Sequence, residues 1–189
     1  VDEGSYFYGR WLSPAPAANE SWVFEAPDWG QMEGGFRETF AGLPLLCLYC
    51  SSSVNLPGAA GEQFRDLFCE YLRLAAVLGA QWVRAINNTT RCPESEDQTP
   101  SEAYDRTVAG LQQVAPVAAD LGVGLLLENN ENTVTPDADS LLAMKTDLGS
   151  ACRVGVAYDA VNAWFQGLDP QPGLKRLAGQ IDVLHVKNV

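Results

Sequence analysis

The sequence has 189 residues, 47% of them hydrophobic and 19% charged, which is ordinary globular composition with enough apolar matter for one sizeable core. Lys and Arg total 12 against 24 Asp and Glu, a formal net charge of -12, so a nucleic-acid backbone or an anionic membrane surface would be repelled and neither is an expected partner. No apolar run approaches the ~20 residues that span a bilayer and no basic-then-apolar leader opens the chain, so the expected compartment is the cytoplasm.

The first 40 or so residues carry Pro14, Pro16 and Pro27 and many aromatics without a clear period. They read as a long loop leaving an earlier strand whose tail is Val1, closed by a short helix near Phe36 to Phe40. Long ordered loops tend to be binding loops or lids, and Trp11, Trp22, Phe24 and Trp29 favour burial. The expectation is a segment folded over a binding mouth.

From about Leu43 onward, short aliphatic runs alternate with longer amphipathic stretches, the signature of βα units and a parallel sheet. The runs are Leu45 to Tyr49, Trp82 to Ile86, Val123 to Leu127, Val154 to Tyr158 and Val183 to Val186. Continuous apolar runs suit parallel strands, because such strands are covered on both faces. Between them, Phe64, Leu67, Phe68, Tyr71, Leu72 and Ala75 recur at helical spacing, with Gly79 placed to end the helix. Thr99-Pro100-Ser101-Glu102 is a capping box that opens a helix reaching about Asp120, in which Pro116 predicts a kink or a break. Thr135-Pro136-Asp137 starts another helix in the same way, and Leu174 to Gln180 makes a short one.

Five cysteines are odd in number and mostly lie in apolar segments, where a thiol behaves as a small hydrophobe. Cys47 and Cys50 form a C-x-x-C, but within a strand residues three apart point to opposite faces, so no metal or redox pair is expected there.

In parallel α/β folds the ligand sits beyond the carboxyl ends of the strands. Three consecutive apolar runs end there in metal-type ligands: Leu125 to Leu127 in Glu128-Asn129-Asn130, Val154 to Tyr158 in Asp159, and Val183-Leu184 in His185-Val186-Lys187-Asn188. Adjacent strands stand about 4.8 Å apart, so ligands at matching heights can converge on one ion. Taken singly, each has a bland reading, since Glu128 could be an ion-pair partner, Asp159 a helix cap and His185 a structural histidine. Two oxygen ligands and one imidazole suit Mn²⁺, Mg²⁺ or Co²⁺ better than a structural zinc, whose sites favour Cys and His. Lys187 shares the inward face of His185, and Arg84 lies within an apolar strand, so each is either a substrate contact or an ion-pair partner. Asn130 and Asn162 complete the expected substrate-binding group.

The tokens Leu-Glu-Asn at 127 to 129, Asp-x-x-Asn at 159 to 162 and His-Val-Lys-Asn at 185 to 188 resemble the xylose-isomerase-like barrel family of sugar phosphate isomerases and epimerases. Leu78-Gly79-Ala80-Gln81-Trp82-Val83-Arg84 resembles that family's third strand, and Ala118-Ala119-Asp120-Leu121-Gly122-Val123 its approach to the fourth. The resemblance implies a (β/α)₈ TIM barrel in which Glu128, Asp159 and His185 hold one divalent ion together with a Glu from strand eight. It implies a sugar isomerase or epimerase working through an enediolate, with Glu128 as ligand and acid/base group. An inosose dehydratase, a hydroxypyruvate isomerase or a non-catalytic sugar-binding barrel are the alternatives. Asn188 stands where the family often has Asp, and Asn162 where many epimerases have His. A full barrel needs about 250 residues. The chain opens without Met and stops within a strand-like run, so the expectation is a single domain over residues 1–189, truncated at both ends. Strands two to six would be present and seven and eight missing. A homo-oligomer is expected of the full-length protein.

Overall fold

A computed structural model of the chain describes residues 5–7, 10–13, 34, 44–50, 54–85, 99–131 and 133–187. Two short strands, β1 (Ser5–Phe7) and β2 (Arg10–Ser13), pair antiparallel, where the sequence predicted a loop. The aromatics of that region carry no alternation, which is why a hairpin was not legible there. The expected short helix near residues 36–40 and the strand tail at Val1 lie outside the described residues.

The remainder is a βα succession: β3 (Cys47–Cys50), α1 (Gly58–Leu78), β4 (Trp82–Ala85), α2 (Pro100–Leu121), β5 (Gly124–Glu128), α3 (Ala138–Leu148), β6 (Val154–Asp159), α4 (Ala160–Phe165), α5 (Pro170–Arg176) and β7 (Val183–His185). Its five strands, β3 to β7, form one sheet in sequence order, parallel throughout. This is the strand-helix repeat of a (β/α)₈ barrel, seen over five strands.

The helices begin and end for local reasons. The Oγ1 of Thr99 accepts the Glu102 backbone N–H at 3.3 Å while the Glu102 carboxylate accepts the Thr99 N–H at 3.0 Å, closing the box the sequence predicted. Hydrogen bonds from Thr99 hold the Glu102 carboxyl below its ordinary value. Gly79 ends α1 at φ 75, a conformation with a steric cost for any side chain. Two predicted helix starts are corrected. Asp137, not Thr135, caps α3, its carboxylate accepting the Ser140 N–H at 2.9 Å. Asp169 and Pro170 start α5 four residues before Leu174, with Asp169 accepting the Gln171 N–H at 2.9 Å. The helix containing Pro116 runs unbroken from Pro100 to Leu121, because Leu111, Val114, Ala115 and Ala118 on both sides of the proline are buried and hold it in register.

Strand alternation divides the core in two. Outward residues, among them Leu48, Cys50, Val83, Leu125, Leu127, Val156 and Tyr158, pack under the helices with Phe68, Leu72, Leu111, Leu141 and Met144. Inward residues Trp82, Leu126 and Ala157, with Cys47 and Val183, form a second cluster inside the curl of the sheet. Cys47 and Cys50 thus lie on opposite faces, as their spacing predicted. Trp82 occupies the space that side chains would take at two neighbours: a Cβ on Gly124 would come within 2.3 Å of its ring, and one on Gly155 within 2.6 Å. The Arg153 guanidinium stacks 4.1 Å from the same ring, and its Nη2 donates to the Gln81 carbonyl at 2.6 Å. This plug supports the layer above it, where the inward residues become polar.

Candidate metal centre

The polar layer follows from register. Tyr49 pairs with Arg84 across β3 and β4, and Asp159 with His185 across β6 and β7. Glu128 lies two residues beyond Leu126 on the same face of β5. Period-two alternation therefore aims Tyr49, Arg84, Glu128, Asp159 and His185 at one point from the carboxyl ends of five consecutive strands. One ligand atom each from Glu128, Asp159 and His185 lie within 4.8 Å of one another. Nδ1 of His185 stands 3.0 Å from Glu128 Oε1 and 3.8 Å from Asp159 Oδ2.

Each carboxylate divides its two oxygens between structure and site. Asp159 is fully buried, and its Oδ1 accepts the backbone N–H groups of Val161 and Asn162 at 3.0 and 2.9 Å, capping α4. The helix-cap reading of this residue is met by one oxygen, which leaves the other turned away from the helix. Its Oδ2 faces the site, 2.5 Å from Nζ of Lys187. Glu128 directs Oε2 to the Arg84 guanidinium in a close ion pair between two largely buried side chains. Its Oε1 faces His185 and receives Asn162 Nδ2 at 3.3 Å.

The other expected residues also converge. Lys187 donates to Asn162 Oδ1 at 2.9 Å, so it meets a ligand-type carboxylate and a site amide together. Asn162 is buried and donates to the Asn129 carbonyl at 2.9 Å as well. Asn130 lines the cleft above the group, a space of about 320 Å³ bounded also by Tyr49, Arg84, Glu128, Leu184, His185, Val186 and Lys187. Arg84 and Lys187 are ion-paired to Glu128 and Asp159 respectively.

Two residues escaped the sequence reading. Asn129, fully buried, donates to the Asp159 carbonyl at 2.9 Å and accepts the Asp159 N–H at 2.7 Å, fixing β6 against the end of β5. Tyr49 places its hydroxyl 2.6 Å from His185 Nε2. Burial pushes its phenol above the ordinary value, against the opposing pull of Arg84. Both end or follow apolar runs, the signal that singled out Glu128, but neither is a usual metal ligand. The N-terminal aromatic segment expected over the mouth lies outside the described residues, apart from the backbone of β1 and β2.

Residues 30–189 match the family model of the xylose isomerase-like TIM barrel. The chain belongs to that family. Inosose dehydratase of Geobacillus kaustophilus (strain HTA426) is 26% identical over 131 residues, 68% of this chain and 41% of the dehydratase. The structure of an L-ribulose 3-epimerase superposes with a TM-score of 0.69 at 20% identity, covering 88% of this chain and 58% of the epimerase. The IolI protein, solved with a bound zinc atom, superposes with a TM-score of 0.59 at 17% identity over 74% of this chain and 50% of its own. The chain thus spans about half the length of the relatives it matches. Among the described residues, no helix is long and apolar enough to cross a membrane.

Proposed function

We propose that the protein is a divalent-metal-dependent isomerase or epimerase of a hydroxy-carbonyl sugar, with Glu128, Asp159 and His185 as metal ligands. The observation that carries this reading is the convergence of three donor atoms within 4.8 Å at the ends of consecutive strands. The donor set fits an ion. Adjacent donors of a six-coordinate ion with bonds of about 2.1 Å stand about 3 Å apart, and the imidazole-to-carboxylate separations are 3.0 and 3.8 Å. Two carboxylates and one imidazole suit Mn²⁺, Mg²⁺ or Co²⁺, with zinc the comparison to make because the IolI protein holds it. Such an ion supplies Lewis acidity, stabilising the negative charge that grows on a sugar oxygen as the neighbouring carbon loses its proton.

The chain's own groups do the rest. Glu128 is the acid/base group, carrying the proton removed from the carbon beside the carbonyl. Arg84 holds Glu128 by Oε2 and so fixes which oxygen faces the cleft. Asn130, Asn162 and Lys187 supply donors and acceptors for sugar hydroxyls, Lys187 also balancing the charge of Asp159. The likeness to inosose dehydratase supports a second reading, in which the same proton abstraction is followed by loss of water from the adjacent carbon.

One experiment separates these readings. The protein is incubated in D₂O with ketoses or with an inosose, with Mn²⁺ or with chelator. Isomerisation or epimerisation incorporates deuterium at a carbon next to the carbonyl with no loss of water, whereas dehydration yields a conjugated product absorbing in the ultraviolet. Ion-dependent exchange that disappears in Glu128→Gln supports the proposal. Failure to bind an ion, with no exchange on any hydroxy-carbonyl substrate, would leave the non-catalytic sugar-binding barrel.

A further inference from the structure

We infer that Tyr49 is the positioning residue for His185, holding its imidazole so that Nδ1 faces the two carboxylates whether or not an ion is bound. The inference rests on the metal reading above and concerns how this chain prepares its imidazole ligand. The two rings are stacked, with centroids 5.8 Å apart and planes 20° from parallel, and the Tyr49 hydroxyl lies 2.6 Å from Nε2. The opposite nitrogen, Nδ1, points at Glu128 Oε1. Tyr49 is itself held, because the Arg84 guanidinium lies 4.2 Å over its ring while pairing with Glu128. Ring, guanidinium, carboxylate and imidazole form a closed circuit, Tyr49 to Arg84 to Glu128 to His185 and back.

A hydroxyl suits this position because it both donates and accepts. An ionised carboxylate only accepts, so without an ion Nδ1 carries a proton toward Glu128, and the neutral ring takes the Tyr49 O–H at Nε2. A ring whose Nδ1 is a ligand must carry its proton on Nε2, and then the Tyr49 oxygen accepts it. One residue therefore serves both tautomers without moving. Outer partners of this kind orient ligating histidines, and their loss typically costs about 10- to 100-fold in metal affinity.

Tyr49→Phe tests the inference, since it keeps the ring, the stack and the guanidinium contact and removes only the hydroxyl from a half-exposed side chain. Mn²⁺, Co²⁺ and Zn²⁺ binding to wild type and variant is measured by chelator competition, and the expected change is roughly 10- to 100-fold weaker binding. His185 is the single histidine of the 189-residue sequence, so selective ¹⁵N-histidine labelling reports one imidazole. The expected result is a shifted Nε2 resonance in the metal-free variant, which a merely structural role for the ring would not produce. Unchanged affinity, or an unchanged Nε2 resonance, would overturn the inference. Wild-type protein that binds none of the three ions would overturn the metal reading and Tyr49's part in it, while the NMR comparison would still decide whether Tyr49 holds the ring.

Discussion

Replacing Arg84 by Met should destabilise the metal-free protein by about 3 kcal/mol, the low end of the range for breaking a buried ion pair. The Glu128 side chain is only 2% exposed and that of Arg84 only 9%, so water cannot take the place of the lost partner. The low end is expected because Oε1 of Glu128 keeps His185 at 3.0 Å and Asn162 at 3.3 Å. For a chain of this size ~1 kcal/mol moves the unfolding midpoint by roughly 2–4 °C, so the loss should read as roughly 6–12 °C. Methionine matches much of the volume but leaves a buried carboxylate without its cation. The double variant Arg84→Met/Glu128→Leu removes both charges and should recover most of the loss, because buried pairs replaced together by apolar groups are often near neutral. Urea unfolding with excess chelator measures wild type and both variants. Addition of the ion at about 100 times its dissociation constant should return roughly 2.7 kcal/mol to the single variant. A single variant within about 1 kcal/mol of wild type, or a double variant no better than the single, would show that the pair does not hold Glu128.

Gly124→Ala should cost about 1–3 kcal/mol by overpacking, because its Cβ would stand 2.3 Å from two ring carbons of the buried Trp82; a thermal midpoint equal to wild type would refute the plug. Burial pushes the Cys47 thiol from 9.0 up to about 11, so the folded chain keeps a proton that the unfolded chain releases. Stability should therefore fall as pH rises from 9 toward 11, less steeply in Cys47→Ala, as followed by urea midpoints at pH 8 and 10.5.

Strand positions were legible in the sequence because each buried strand reads as an uninterrupted apolar run closed by a polar residue. Trp82 to Ile86 and Val154 to Tyr158 differ from the observed strands by one residue at the end. The ligand-type residues were legible for the same reason, since Glu128, Asp159 and His185 are where apolar character stops. What the runs concealed was traffic between strands. Nothing in the local pattern around Tyr49 shows that β7, 136 residues later, brings His185 to its hydroxyl, and no spacing rule pairs Arg84 with Glu128 instead of with a substrate. Helix starts were misplaced where two capping residues compete: Thr135 and Asp137 both offer an oxygen, but the Thr135 hydroxyl donates to the Glu128 carbonyl and Asp137, three residues before Ser140, accepts its N–H. The hairpin of β1 and β2 was missed because its residues lack a polar-apolar alternation, so Gly9, which lies in the two-residue connection, carried no strand signal on either side.

The division of labour within Asp159 bears on which ions this centre can accept. With Oδ1 committed to two backbone N–H groups of α4 and Oε2 of Glu128 committed to Arg84, each carboxylate has a single oxygen to give. Calcium gathers about six to eight oxygens and often grips a carboxylate by both, a grip that here would unwind the first turn of a helix or break a buried ion pair. Smaller ions, satisfied by one oxygen from each acid and a nitrogen from His185, meet no such conflict. If the proposed centre holds an ion, the cap that starts α4 would act as a size filter, and discrimination against calcium would come from a hydrogen bond that never touches the ion.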